Sequence, residues 1–388
     1  MSGPDVVALG RRVPDVVVCG RGVPDQGSPL LGVFELDQAR ALQAAGLSVA
    51  YAGLDVRSLR RRRRFGYRHE VVDGLDVHVL SVPVGQLPRS LNRRVMTPLW
   101  NVLLRRVVAA HGQPKVWHSH FLPWTAALVE ARAVRGTPVV ATEHWSQLTA
   151  VQLPGDVQAL GRRAYPQLAA LVAVSQPLAS SLATHFGVQA QVIGNIVDVE
   201  TFAAAAATVR PPRVRLVTTA NLIVRKNVDG LLRGFASAAP PDAELVVIGQ
   251  GPERSTLDGL VSELGLRGRV RFTGRLTRAE LAAEYACATG FALASHRETF
   301  GVVWAEALAA GLPVLATRCG GPEDFVQPAN GVLVDDEPGA IAAGLAELCD
   351  GIAESRWVAA DLAGQARARF SAAVVTAELQ RLYASLTR

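Results

Sequence analysis

Short apolar runs alternate with helical patterns along almost the whole chain. In the C-terminal half the apolar runs predict strands at 215–219, 244–249, 270–273, 290–294 and 313–316. Helical spacing of apolar positions places helices between them, at about 228–237, 253–264, 278–287 and 300–310. The N-terminal half repeats the theme. Its strands are predicted at 16–19, 49–51, 77–80, 116–118, 139–142, 171–174 and 191–193, and its first helix at 34–45, ended by Gly46. Strands alternating with helices imply an α/β architecture of parallel sheets covered on both faces. Ligands of such sheets bind outside the C-terminal strand ends. At 388 residues the chain exceeds what one core serves. The expectation is two Rossmann-like domains facing a cleft, at 1–200 and 201–370, with 201–212 as the linker. A last helix at roughly 371–386 carries apolar Val374, Val375, Leu379, Leu382, Tyr383 and Leu386.

One stretch carries most of the chemistry. Ser295-His296-Arg297-Glu298-Thr299-Phe300-Gly301 runs straight into Val302-Val303-Trp304-Ala305-Glu306, the start of an apolar helix that stops at Gly311-Leu312-Pro313. A helix opened by such a turn leaves its first N–H groups unpaired, a natural seat for a phosphate. Glu298 lies just before that N-terminus, where a sugar attached to the phosphate would sit. Glu306 projects from about the second turn, towards a ribose. A carboxylate accepts from two adjacent hydroxyls at once, which suits the vicinal diols of both. The stretch therefore reads as a nucleotide-sugar site, with Glu298, Thr299, Phe300, Gly301, Val302 and Glu306 on the donor. Lys226 follows the strand at 215–219, in a loop with Asn221 and Arg225. A cation there neutralises a diphosphate as it leaves, so its contact strengthens towards the transition state.

Composition narrows the class. The chain is 49% hydrophobic and 19% charged, with no apolar run near the ~20 residues that span a bilayer. Its first residues lack the apolar core of a signal peptide. Cys19, Cys287, Cys319 and Cys349 are scattered, without C-x-x-C spacing or histidine partners. A reduced, cytoplasmic protein with no zinc site is expected. The net charge of +6 comes from the first 200 residues, which hold 21 Lys and Arg against 14 Asp and Glu. The excess lies in Arg57, Arg60 to Arg64 and Arg68, then Arg89, Arg93, Arg94, Arg105 and Arg106, around the apolar stretch 95–104. That segment suits peripheral contact with an anionic membrane at its inner face. The alternative is a solvated basic loop beside an ordinary surface helix. Nucleic acid is not expected, since no aromatics interleave with the basic run.

The stretch from Glu298 to Pro313 resembles the signature of the large retaining glycosyltransferase family 4, also called group 1, with the two-Rossmann glycosyltransferase-B (GT-B) fold. The resemblance is strong over 213–335 and loose over 14–200. It implies transfer of a sugar from a nucleotide diphosphate sugar to an acceptor hydroxyl, with retention, and a terminal helix that crosses back onto the first domain. In the family, the loop holding Lys226 carries an arginine where this chain has Asn221, so the resemblance leaves that charge to Arg225 or to a neutral hydrogen bond from Asn221. Similar enzymes have a histidine after the strand at 116–118 that points towards the donor sugar. His118 and His120 share a face by alternation, and His120 is nearer the strand end. Glu143-His144-Trp145-Ser146 resembles an acceptor-side motif, in which His144 bonds and Trp145 stacks on a sugar. Paired glycines usually follow the first strand; here Gly27 and Gly32 stand there, and Gly32 is the candidate for close approach to the donor phosphate. Gly251, in Gly249-Gln250-Gly251-Pro252, would shape the nucleotide pocket. Glu35, Asp37 and Gln38 would face the acceptor.

The reading is thus a cytoplasmic transferase with catalytic His120, Lys226 and Glu298, no cofactor and no metal. Lys226 and backbone amides would hold the diphosphate, since no Asp-x-Asp occurs in the cleft segments. The acceptor is a sugar, a lipid-linked sugar or a small molecule. Rival readings on the same fold are a nucleotide-sugar epimerase, a disaccharide phosphorylase, or a binding protein without turnover.

Overall fold

Valine-rich runs form the centre of two sheets. The computed structural model describes residues 13–25, 28, 31–57, 63–84, 89–206 and 213–387. Gly27, Arg60 to Arg62 and 207–212 of the expected linker lie outside them. The chain divides into two units. One comprises Met1–Ala173, Ala179–Ile193 and Thr376–Arg388; the other comprises Val174–Leu178 and Gly194–Val375.

The first unit holds strands β1 (Val16–Gly20), β2 (Val49–Asp55), β3 (Gly66–Val72), β4 (Leu75–Ser81), β5 (Val116–His120), β6 (Val139–Glu143), β7 (Ala170–Ala173) and β8 (Gln191–Val192). Their order is β3-β4-β2-β1-β5-β6-β7-β8. All neighbours are parallel except β3, which pairs antiparallel with β4, His69 opposite His78. The sequence reading missed β3, because Gly-Tyr-Arg-His-Glu is polar and mostly exposed at the sheet edge. Helices α1 (Val33–Ala44), α2 (Arg89–His111), α3 (Leu122–Leu128), α4 (Gly155–Ala164) and α5 (Gln176–Phe186) accompany this sheet.

Helix α2 removes one ground for the membrane expectation, its apolar stretch. Met96, Trp100, Leu103, Leu104 and Val107 are fully buried, in one core with Val17, Ala50, Ala52 and Trp117. The apolar face is spent on the protein's own sheet, so Trp100 has nothing to offer a bilayer. Several of the basic residues are also engaged. Arg57 pairs with Asp25 and Asp55, Arg63 with Asp55 and Arg93 with Glu130. Among the described residues, no helix is long and apolar enough to cross a membrane.

In the second unit, α6 (Val199–Ala206) precedes a sheet of β9 (Arg215–Thr219), β10 (Glu244–Ile248), β11 (Val270–Gly274), β12 (Gly290–Leu293), β13 (Val314–Thr317) and β14 (Gly331–Val334). The order β11-β10-β9-β12-β13-β14 is parallel throughout. Helices α7 (Val228–Ala238), α8 (Arg254–Glu263), α9 (Arg278–Ala286), α10 (Val302–Ala309), α11 (Pro338–Ala353) and α12 (Ala359–Phe370) fill the crossovers and the end of the unit, followed by α13 (Ala372–Leu386). Both sheets reverse direction beside their first parallel strand, between β1 and β5 and between β9 and β12. A ligand crevice opens at the C-terminal ends of such strands.

Candidate functional site

The reversal point of the second sheet collects the expected donor residues. Lys226 ends a short 3-10 turn, Val224–Lys226, after β9. Glu298 comes from the loop after β12. Their side chains meet in a salt bridge, 13% and 11% exposed. Ser295 Oγ donates to the same carboxylate at 3.0 Å, and Arg225 Nη1 stands 3.8 Å from its other oxygen. Arg225 is held there by donating to the Arg297 carbonyl at 2.7 Å. It therefore stands beside Glu298, while Asn221 is exposed. The Glu298 backbone is fixed independently of its side chain. Its N–H donates to Cys319 O at 2.7 Å and its carbonyl accepts from Gly321 N–H at 3.0 Å.

The following turn prepares the helix. Gly301 caps α10 with φ 95°, a conformation that L side chains avoid. Among the described residues, the N–H groups of Val302 and Val303 have no acceptor. Thr299 is half-buried beside them. The Phe300 side chain is turned into the core of its own unit. Its ring packs on Phe325 and Phe370, with centroids at 5.8 and 5.5 Å, so only its backbone remains for a ligand. Gly251 is likewise explained from within. A Cβ there would lie 2.1 Å from Leu222 O, and Leu222 N–H donates to Gln250 O at 2.9 Å. This glycine thus seats the loop that carries Asn221, Arg225 and Lys226.

Glu306 is buried in the second turn of α10, and among the described residues its carboxylate makes no hydrogen bond. Burial pushes its pKa up to about 7; Arg278 opposes the rise and Asp198 adds to it. Hydroxyl donors stabilise the ionised form, so a diol ligand should bind more tightly as the pH rises through that value. Nucleotide affinity is expected to increase from about pH 6 to about pH 8 by at most about tenfold per unit. In Glu306→Gln this component disappears. Isothermal calorimetry on both proteins checks it, the variant's own pH profile removing the titration of the nucleotide phosphate. The opposite sign applies to stability. The folded form holds a proton that the unfolded chain has lost, so the Glu306 contribution falls from about pH 4.5 to about pH 7.

In the first unit, the reversal point between β1 and β5 collects histidines. The rings of His118 and His120 stack with centroids 4.9 Å apart. His120 Nδ1 shares a hydrogen bond of 2.9 Å with His144 Nε2, and His144 stacks in turn on Phe34. Trp145 follows, half-buried. The two β5 histidines differ sharply. His118 Nδ1 meets Tyr383 Oη at 2.5 Å and Gln38 Nε2 at 3.1 Å, and its Nε2 meets Thr142 Oγ1 at 2.7 Å. His120 keeps Nε2 buried without a hydrogen-bond partner among the described residues. Burial first, then the neighbouring histidines, hold His120 well below the usual imidazole range. It is therefore a neutral ring at physiological pH. The next residue, Phe121, has φ 64°, a strained conformation for a bulky side chain, with the Arg21 guanidinium 3.6 Å from its ring centroid.

Residues singled out around α1 have partners within the protein. Glu35 and Gln38 are buried, Glu35 bound by Arg21 at 2.8 Å and Gln38 by His118. The close approach at Gly32 is to the protein itself: a Cβ would lie 2.2 Å from Gly22 O.

Comparison with known proteins fits both halves. Residues 32–201 match the family described as Glycosyltransferase Family 4, and residues 205–358 the one described as Glycosyl transferases group 1. A GDP-mannose-dependent alpha-(1-6)-phosphatidylinositol monomannoside mannosyltransferase of Mycobacterium tuberculosis is 31% identical over 61% of this chain and 67% of its own. The chain belongs to glycosyltransferase family 4. Another relative, D-inositol 3-phosphate glycosyltransferase of Xylanimonas cellulosilytica, is 29% identical over 79% of each chain. Sucrose-phosphate synthase from Thermosynechococcus elongatus shares the fold, with a TM-score of 0.79, 20% identity and coverage of 97% and 99%. The Anabaena protein HepE, solved with UDP and glucose, superposes with a TM-score of 0.69, 16% identity and coverage of 96% and 100%. The architecture of this family 4 chain is thus the GT-B fold, and the chain is a glycosyltransferase.

Three partners in the second-unit site escaped the sequence reading. Ser295 holds the Glu298 carboxylate. Asp336 accepts from His296 Nδ1 at 2.7 Å and from Asn227 Nδ2 at 3.3 Å, bracing both loops. Gly320 bridges the Glu298 backbone. Ser295 stood three residues from Glu298 and could have been singled out. The others come from segments distant in sequence that only the sheet order brings near.

Proposed function

We propose that this family 4 enzyme transfers a sugar, with retention, from a nucleotide diphosphate sugar to an acceptor hydroxyl. The observation that carries the reading is the Lys226–Glu298 pair beside two unsatisfied helix N–H groups. Each ion of this pair neutralises the other. A diphosphate entering at the N–H groups of Val302 and Val303 draws Lys226 towards itself, with Arg225 as the second cation. That movement releases the Glu298 carboxylate to accept from sugar hydroxyls. As the glycosidic bond breaks, negative charge grows on the leaving phosphate oxygen and Lys226 stabilises it. Glu306 takes the ribose diol, the ligand that supplies the donors its carboxylate lacks. In the first unit His120, neutral and with an unpartnered Nε2, serves the incoming acceptor hydroxyl. His144 and Trp145 serve the acceptor. Relatives that use GDP-mannose and a neighbour solved with UDP and glucose support the donor class.

A thermal-shift panel of nucleotide diphosphates and nucleotide sugars, including GDP-mannose and UDP-glucose, tests the reading. The right ligand at a hundred times its dissociation constant adds about 2.7 kcal/mol of stability. With that donor, nucleotide diphosphate release should require an acceptor. A panel without any shift, or release that is independent of acceptor, would reject transfer.

A further inference from the structure

Away from both reversal points, the edge of the first sheet brings together His69, Asp76, His78 and His111, with one ligand-type atom from each inside a span of 4.8 Å. Register explains the convergence. His69 and His78 are direct antiparallel partners on β3 and β4. Asp76 lies two residues before His78 and so shares its face. His111 ends α2, which covers that face. The atoms already face one another. His78 Nε2 lies 2.8 Å from His111 Nε2, His69 Nε2 lies 2.8 Å from Asp76 Oδ1, and His111 Nε2 lies 4.0 Å from the same carboxylate oxygen.

We infer that these four residues form a zinc site that clasps β3, β4 and the end of α2. Three imidazoles and a carboxylate are the donor set of a tetrahedral zinc centre. Neighbouring ligand atoms in such a centre stand roughly 3.3 Å apart, the edge of a tetrahedron with bonds near 2.0 Å. The two 2.8 Å pairs open slightly and the 4.0 Å pair closes to reach it. His69 and Asp76, 40% and 35% exposed, adjust by rotamer changes, and His111, 15% exposed, draws back slightly from the buried His78. The buried ligand is already oriented. Tyr67 Oη lies 2.8 Å from His78 Nδ1; with Nδ1–H donating to it, Nε2 presents its lone pair to the ion. An outer partner of this kind accompanies most metal-binding histidines. Tyr67 is in turn covered by the Arg106 guanidinium, 4.3 Å from its ring centroid.

The benefit is local. β3 is a mostly exposed edge strand, with little apolar burial to hold it. An ion shared by β3, β4 and α2 fixes it without a larger core. The expectation of no zinc site, drawn from cysteine spacing, does not reach a histidine cluster assembled from three elements.

Full-length protein without a histidine tag is purified, stripped with a chelator and titrated with zinc sulfate. About one zinc per chain should bind with a dissociation constant below about 1 μM, and Tm should rise by several degrees. Cobalt in its place should give the intense visible absorption of a tetrahedral ion. His69→Gln and His111→Gln, each tested alone, should lose the visible band and most of the Tm rise while keeping the nucleotide-induced shift of the second unit. That shift shows that the variants are folded. Absence of stoichiometric zinc in the wild type, or wild-type zinc affinity retained in either variant, would overturn the inference.

Discussion

Lys226→Ala is expected to lower turnover at saturating donor by about 10²–10³-fold, or roughly 3 kcal/mol of transition-state stabilisation. The loss should fall on kcat more than on nucleotide affinity, because the leaving phosphate gains charge only as the bond breaks. The fold should survive. The substitution strands no uncompensated carboxylate, since Ser295 donates to Glu298 and Arg225 stands 3.8 Å from it. Steady-state kinetics with the donor identified by thermal shift is the check. Retention of more than about a third of wild-type turnover would move the role to Arg225.

For Glu298→Gln the expectation is a turnover loss of about 10²-fold or more, with affinity for free nucleotide diphosphate changed by less than about twofold. The backbone of residue 298 is tied to Cys319 and Gly321, and the amide oxygen can still accept from Ser295. The substitution therefore removes the charge and with it the ion pair to Lys226, while leaving the backbone in place. Glu306→Ala provides the contrast, weakening nucleotide and nucleotide sugar alike. If both variants lost free-nucleotide affinity equally, the division of labour between sugar and ribose would be wrong.

Much of this site is visible in the primary structure because its parts are local. Glu298, Gly301 and Glu306 lie on one loop and the helix it opens, so spacing alone reports their relation. Lys226 is legible as a cation at a strand end. The α/β alternation is equally plain, since buried parallel strands read as valine-rich runs. What stayed hidden depends on pairing between distant segments. Nothing in Phe300 itself says that its ring meets Phe325 and Phe370. Gly32 signals a close approach but not that the neighbour is Gly22. The apolar stretch around Trp100 looks the same whether it faces lipid or a sheet, and only packing decides. Between His118 and His120, alternation could not choose; the hydroxyls of Thr142 and Tyr383 engage one and leave the other.

Tyr383 has a consequence for how the protein is made. Its hydroxyl lies 2.5 Å from the buried His118 ring, and the segment Thr376–Arg388 belongs to the first unit. During synthesis the ribosome must deliver the entire second unit before this residue emerges. The amino-terminal half therefore waits on the tunnel with an unfilled slot beside β5, unable to finish in the vectorial order usual for multidomain chains. Its completion reports that translation has passed the last helix.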